Sequence, residues 1–192
     1  MNNNIFIMRH GQDEDNAAGL LNGRRDTSLT ELGRKQAQSA AQKLKANNIE
    51  IIYSSPLKRA YETARIVAGE LGVDEIIADE HLMERDFGIL TGKPISDISK
   101  YSEKLLKTDR STYFLEIKGG EDFPSLFERG KKILTEIQDR HSGKNILIVC
   151  HGDIGNMIRA AYHNIDWETS LNSFYFDNSQ VLKLSEDEDI VK

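Results

Sequence analysis

Apolar residues along this 192-residue chain fall into two kinds of run. Residues 5–8 (Ile-Phe-Ile-Met) and 146–150 (Ile-Leu-Ile-Val-Cys) are unbroken by polar positions, as expected of strands covered on both faces in a parallel sheet. Residues 49–53 and the short stretch 75–78 read as further strands. Elsewhere apolar residues recur at helical spacing. Thr30 can N-cap a helix with Ala37, Ala40, Ala41 and Leu44 on one face, stopping near Asn47-Asn48. Ser55 as N-cap and Pro56 at the first helical position open a second, with a stripe of Leu57, Ala60, Ala64, Val67, Ala68 and Leu71 that ends at Gly72. A third runs from about Asp122 with Leu126, Gly130, Ile133, Leu134 and Ile137 on one face. A fourth follows Cys150 and carries Ile154, Met157, Ile158 and Ala161. Residues 173–176 and 180–184 complete the pattern as two strands, paired in a hairpin around Asp177-Asn178. Strands alternating with helices predict an α/β fold: a three-layer α/β/α sandwich with a mostly parallel central sheet. One domain over residues 1–192 is expected, with an acidic tail at about 185–192 that is solvated. Between residues 81 and 121 periodicity weakens and glycines 88, 92, 119 and 120 accumulate; so long an irregular stretch inside a domain points to function.

Composition narrows the partners. The chain is 39% hydrophobic and 29% charged, with a formal net charge of -6, which argues against nucleic acid or an anionic membrane as partner. An anionic ligand must then be captured by a local cluster of positive groups. The single cysteine, Cys150, excludes an internal disulfide and fits a cytoplasmic location. No signal-peptide pattern precedes residue 5, and no apolar run approaches the ~20 residues that span a bilayer.

Candidate chemistry gathers where the strands end. Both unbroken runs terminate in His-Gly, at His10-Gly11 after Arg9 and at His151-Gly152 after Cys150. In open α/β sheets ligands bind beyond the carboxyl ends of strands, so the two imidazoles are expected to face one pocket, with each glycine permitting close approach. Ser54, Ser55 and Arg59 follow the strand at 49–53 and reach the same edge. Two guanidinium groups, two imidazoles and helix N-termini suit a tetrahedral anion, hence a small phosphorylated metabolite. A neutral imidazole there can attack phosphorus, provided its other nitrogen is fixed by a hydrogen bond. The arginines and the second, protonated imidazole would stabilise the equatorial oxygens. A carboxyl group is still required to protonate the leaving oxygen and later to deprotonate water.

These residues form a known pattern. Arg9-His10-Gly11 with Asn16, the stretch Leu29-Thr30-Glu31-Leu32-Gly33, Ser54-Ser55-Pro56 with Arg59-Ala60 and Thr63-Ala64, and Cys150-His151-Gly152 resemble the histidine phosphatase superfamily, in its phosphoglycerate mutase-like branch. The likeness extends from residue 5 to about residue 180. It implies His10 as the phosphorylated nucleophile, with Arg9, Arg59 and His151 completing the phosphate pocket and Gly152 beside it. It also implies Glu84, in Met83-Glu84-Arg85-Asp86-Phe87-Gly88, as the proton donor, with Asp79, Glu80, Asp86 and Glu121 as rival carboxylates. Asn16 and Gly23 match positions lining that pocket, and Gly119-Gly120-Glu121 resembles the family's turn before a late helix.

The activity expected is a metal-independent phosphomonoesterase that needs no cofactor and acts as a monomer or homodimer. The alternatives are a phosphoglycerate mutase using 2,3-bisphosphoglycerate and a non-catalytic phosphate-binding module. Glu84-Arg85 with Phe87-Gly88 is similar to the mutases and to bisphosphatase-like members alike. Those mutases carry an insertion rich in basic residues before the Gly-Gly-Glu turn. Here the segment is short, its basic residues are Lys93, Lys100, Lys104, Lys107, Arg110 and Lys118, and it has no adjacent arginine pair, which favours the phosphatase. Other candidates carry no chemistry: Cys150 reads as a buried thiol, His81, His141 and His163 as structural or exposed histidines, and Tyr53, Tyr61 and Trp167 as core or surface aromatics. No metal-ligand spacing, P-loop or G-x-G-x-x-G run is present.

Overall fold

The structure, a computed structural model, describes residues 3–186 and 188–189. Both unbroken apolar runs are central strands. β1 (Asn4–Arg9) pairs in parallel with β6 (Asn145–Cys150), β6 with β2 (Ile51–Ser54), and β2 with β3 (Ile76–Ala78). β7 (Val181–Lys183) adds to the other edge of β1 antiparallel, and β8 (Glu188–Asp189) pairs with β7, giving the order β3-β2-β6-β1-β7-β8. Alternate residues of β1 and β6 serve opposite faces, because successive side chains on a strand point to opposite sides. Phe6, Met8, Leu147 and Val149 pack on α2 (Glu31–Leu44) and α3 (Lys58–Leu71); Ile5, Ile7, Ile146, Ile148 and Cys150 pack on α5 (Phe123–Arg140) and α6 (Gly152–His163). The fold is the expected α/β sandwich, with helices on both faces of a mostly parallel sheet.

Three expectations are corrected. The second helix starts at Lys58 rather than at Pro56. Ser55 N–H still bonds Val149 O across the sheet at 3.0 Å, so the chain leaves the strand later, and Asp26 Oδ1 from a separate loop accepts from Lys58 N at 2.7 Å. The strand expected at 173–176 does not form. Asp166 caps a helix, α7 (Trp167–Ser173), through Thr169 N at 2.8 Å, and Trp167 stacks on Phe123. With no partner strand there, the turn at Asp177-Asn178 leads β7 onto β1 instead of closing a hairpin. The acidic tail is also partly structured, since Glu188–Asp189 pairs with Leu182 and Lys183. Ser185 and Glu186 are exposed, and the rest of the tail lies outside the described residues.

The irregular segment has its own small core. α4 (Ile98–Tyr101) and the hairpin of β4 (Leu105–Lys107) with β5 (Thr112–Phe114) were not visible as periodic runs. Phe87, Leu90, Ile98 and Phe114 are buried together, with Leu21, Leu105 and Ile117 packed against them. Among the described residues no helix is long and apolar enough to cross a membrane, and no group of histidine, cysteine and carboxylate side chains is placed to hold a metal.

Candidate active site

Strand register sets the central feature. Arg9 pairs with Cys150 across β1 and β6, so the next residues, His10 and His151, leave neighbouring strands side by side. Their rings meet edge to face with centroids 5.0 Å apart, both almost fully buried. The cysteine immediately before His151 faces away, into the α5–α6 layer. Burial pushes its thiol pKa up, which suits packing rather than nucleophilic chemistry.

Each imidazole has one nitrogen engaged by a neighbour, and for His10 that partner fixes the tautomer. Gly11 O, which can only accept, takes the His10 Nδ1 proton at 2.7 Å, leaving Nε2 with the lone pair. That lone pair faces Arg59 Nε at 3.2 Å. His151 Nε2 is hydrogen-bonded to Ser55 Oγ at 2.8 Å, and Ser55 Oγ also accepts from Leu57 N at 3.3 Å. His151 Nδ1 and Arg9 Nε are both buried without a hydrogen-bond partner, and the guanidinium N–H is a donor that a tetrahedral oxyanion can accept. Burial, followed by the charge of Arg59, holds both histidines well below the usual imidazole range. His10 is therefore neutral, as a nucleophile requires. The expectation of a protonated His151 is not met by these surroundings alone; a phosphoryl dianion beside it acts in the opposite sense and favours the imidazolium.

Arg59 is fixed from every side. Its Nε lies 3.2 Å from Asp13 Oδ2, one terminal nitrogen donates to Arg25 O at 2.6 Å and the other to Gly23 O at 2.8 Å. Gly23 thus serves the pocket through its carbonyl rather than by lining it. Its φ of 52° and the nearness of Phe87 Cβ, 3.1 Å from where a Cβ would sit, leave room for glycine only. Asn16 does line the pocket and belongs to a chain of amides: Asn178 donates to it at 3.0 Å, it donates to Asn22 at 3.0 Å, and Asn22 donates to Asp13 at 2.8 Å. The glycines after the two histidines differ. A Cβ on Gly11 would sit 2.3 Å from Gly33 O, so this glycine and Gly33 let the start of α2 cross the loop after β1. A Cβ on Gly152 would meet Arg9 and Glu84 only at 3.8 Å, so what Gly152 leaves is pocket space.

Glu84 lines the same cavity. Its carboxylate accepts from Arg85 N at 2.9 Å and from Asp153 N and Ile154 N at 3.3 Å each, at the N-terminus of α6. Those donors favour the anion, yet burial first and the nearby Asp153 second push its pKa above the usual carboxylate range. Such a group holds its proton to a higher pH than an ordinary carboxylate does, which suits a proton donor. Of the rival carboxylates, Glu121 is engaged by Arg129 at 2.7 and 2.9 Å, while Asp79 and His81 pair with each other at 2.9 Å.

Arg9, His10, Asn16, Arg59, Glu84 and Gly152 border one cavity of about 140 Å³; His151 is not among its lining residues, but its ring meets that of His10 at 5.0 Å. Sequence reasoning missed Asp13, the buried counter-ion of Arg59. The signal was present, because an aspartate before Glu14-Asp15 reads as an N-cap, and Asp13 Oδ1 does accept from Asn16 N at 2.8 Å at the start of α1 (Glu14–Ala18). It also missed Arg129, whose guanidinium bonds the carbonyls of His81 and Met83 at 2.6 and 2.7 Å and so grips the Glu84 segment. An arginine on an amphipathic helix gives no sequence cue to that role.

Comparison with known proteins agrees with this geometry. The family profile of the histidine phosphatase superfamily (branch 1) matches residues 5–190. The chain is 38% identical to a 2,3-bisphosphoglycerate-dependent phosphoglycerate mutase from Parvibaculum lavamentivorans over 176 residues, 86% of this chain and 81% of that one. It is 34% identical to phosphoserine phosphatase 1 of Hydrogenobacter thermophilus over 148 residues, 77% and 70% of the two chains. Among solved structures it is similar to a phosphoserine phosphatase from Entamoeba histolytica in complex with 3-phosphoglyceric acid, with a TM-score of 0.77 and 26% identity, covering 93% of this chain and 88% of that one. With its two strand-end histidines and a profile match across nearly its whole length, this chain belongs to the histidine phosphatase superfamily.

Proposed function

We propose that the protein is a metal-independent phosphomonoesterase working through a phosphohistidine on His10. The observation that carries this reading is the hydrogen bond from His10 Nδ1 to Gly11 O, which leaves the Nε2 lone pair directed into a pocket of cationic groups. In the first half-reaction Nε2 attacks phosphorus as the ester P–O bond breaks, and Glu84 gives its proton to the departing alkoxide. Arg9, Arg59 and His151 take up the charge on the three equatorial oxygens. In the second, Glu84, now a carboxylate, removes a proton from water, which attacks phosphorus and releases His10 and inorganic phosphate.

The cations around the cavity favour hydrolysis over mutase chemistry. A mutase has to keep a bisphosphorylated intermediate and so needs a second group of cations. The cationic side chains lining the cavity are Arg9, Arg59 and Arg85. Arg85 Nε is committed to Asp153 at 2.7 Å and its guanidinium carbon lies 4.0 Å from the Phe114 ring centroid. Of the basic residues in the irregular segment, Lys100 pairs with Asp97, Lys104 with Glu116 and Arg110 with Asp177. Reaction with a [³²P]-labelled phosphomonoester, quenched in alkali, tests the proposal. An acid-labile label that is absent from His10→Ala, with phosphate release independent of 2,3-bisphosphoglycerate, is the expected result. An acid-stable label on Ser54, or turnover only with the bisphosphate, would overturn it.

A further inference from the structure

Beyond the phosphate-facing groups the cavity changes character. Its far wall is the small core of the irregular segment seen from inside: Phe87, Ile98 and Phe114, with Leu21 packed against them. Ile95 continues this surface to the mouth and is 51% exposed there. Besides the arginines, His10 and Glu84, the polar lining of the cavity consists of the hydroxyls of Ser111, Thr112, Tyr113 and Tyr175, the amides of Asn16 and Asn22, and the Asp153 carboxylate.

Besides Arg9 and Arg59, the cationic side chain lining the cavity is Arg85, and it is not available to a ligand. It is 1% exposed, its Nε bonds Asp153, and one terminal nitrogen donates to Phe114 O at 3.1 Å and Glu121 O at 3.3 Å. Arg24, Arg25 and Arg110 do not line the cavity and are matched to carboxylates: Arg25 to Asp15 at 2.8 Å, Arg24 to Glu121 at 3.3 Å and Arg110 to Asp177 at 2.7 Å. No lysine lines the cavity among the described residues. A second anionic group on a substrate would be desolvated against apolar side chains and Asp153, with no cation to receive it. An uncharged apolar or aromatic body would instead displace water from Phe87, Ile98 and Ile95.

We propose that the leaving group is an uncharged alcohol with a substantial apolar or aryl body, and that phosphomonoesters bearing a carboxylate beyond the ester oxygen are discriminated against. This rests on the phosphatase reading and sets the chain apart from relatives named for phosphoserine and phosphoglycerate. Ile95 is the rim residue that enforces it.

The test compares 4-carbamoylphenyl phosphate with 4-carboxyphenyl phosphate, near-isosteric esters that differ in one negative charge. The carbamoyl ester is expected to have the higher kcat/KM by roughly tenfold or more, mostly through KM, since the penalty falls on binding. Ile95→Arg, at an exposed position where the fold does not depend on the side chain, should shrink that ratio from both sides, raising activity on the carboxylate and lowering it on the carbamoyl ester, whose aryl body loses an apolar contact. Equal or faster turnover of the carboxylate by the unaltered enzyme would overturn the inference while leaving the phosphatase intact. An unchanged ratio in Ile95→Arg would remove Ile95 as its cause. Failure of both esters to turn over in a His10-dependent way would remove the phosphatase reading, and the inference with it.

Discussion

His10 and His151 stand on the ends of two neighbouring parallel strands, whereas Glu84, which lines the cavity beside them, sits in an irregular loop. The imidazoles owe their spacing to backbone register, which continuous hydrogen bonding along β1 and β6 makes hard to shift. The carboxylate owes its place to side chains brought from elsewhere: Arg129 of α5, Arg24 bonding Glu84 O at 3.2 Å, and the first N–H groups of α6. The phosphate half is thus built once into the sheet, while the leaving-group half can be re-aimed by changing a few contacts. On the proposed reaction, that division would let a constant reaction centre serve different alcohols.

The largest effects should come from the rigid half. In Arg59→Met, kcat/KM is expected to fall by about 10³-fold, the size seen when a preorganised donor to a developing oxyanion is lost. Stability should fall by about 3–5 kcal/mol, because Asp13, fully buried, loses its partner. Adding Asp13→Asn should restore part of the stability, read by urea denaturation, and none of the activity. Recovery of both together would mean that Arg59 matters only as a structural ion pair.

Glu84→Gln strikes the adaptable half and should separate substrates rather than lower all rates alike. Alkyl phosphates need a proton on the departing oxygen, so their kcat should drop by about 10²–10⁴-fold. Aryl phosphates leave as stable phenolates and should lose far less. Equal losses on both would place the acid elsewhere in the cavity.

The same contrast explains what was legible in the sequence. Ile5–Met8 before Arg9-His10-Gly11 and Ile146–Cys150 before His151-Gly152 carry both element type and site, because a buried parallel strand writes an apolar run and its end lies next to the chemistry. Arg59 was found through the Ser-Ser-Pro turn that precedes it. Glu84 came from family resemblance, since a carboxylate in a stretch without periodicity has no local mark of burial. The segment 173–176 was misread because Phe174 and Phe176 look like strand residues, whereas Asp166 capping and Trp167 packing against Phe123 decide the backbone just before them. Asp13 and Arg129 act over sequence separations of 46 residues to Arg59 and of 46 and 48 residues to Met83 and His81, and no window of local pattern contains such pairs.

Arg129→Gln sharpens the comparison further, because Arg129 touches the acid's loop and not the phosphate. Its guanidinium holds the carbonyls of His81 and Met83 and is anchored by Glu121. Although burial acts to raise Glu121, Arg129 and its other hydrogen-bonding and charged neighbours hold that carboxylate below its ordinary range. The variant should lose roughly tenfold in kcat through misplacement of Glu84, while inhibition by inorganic phosphate keeps its constant. The acidic and basic limbs of the pH–rate profile should move, as they would not if Arg129 only supported the fold. A parallel weakening of phosphate inhibition would show that the two halves of the cavity are mechanically one.

The smallest effect tests whether the rigid half holds its nucleophile neutral. Burial keeps His10 well below the usual imidazole range in the folded protein. As pH falls through about 6.5, the unfolded chain takes up a proton that the folded chain refuses. Stability is therefore present in full above that value and is lost as pH descends from it toward the folded value. Glu84 acts in the opposite sense, because its raised pKa lets the folded chain bind a proton first. Comparing the unaltered protein with His10→Gln subtracts that shared contribution. Between pH 7.5 and 5.5 the unaltered protein should lose about 1.4 kcal/mol more stability than the variant, one buried histidine's share at 25 °C, measured from urea midpoints at each pH. Identical losses would mean that His10 titrates as it does in water. The lone pair on Nε2 would then be open to protonation throughout the weakly acidic range, and the neutral nucleophile would have to be made by the arriving substrate rather than by the sheet edge.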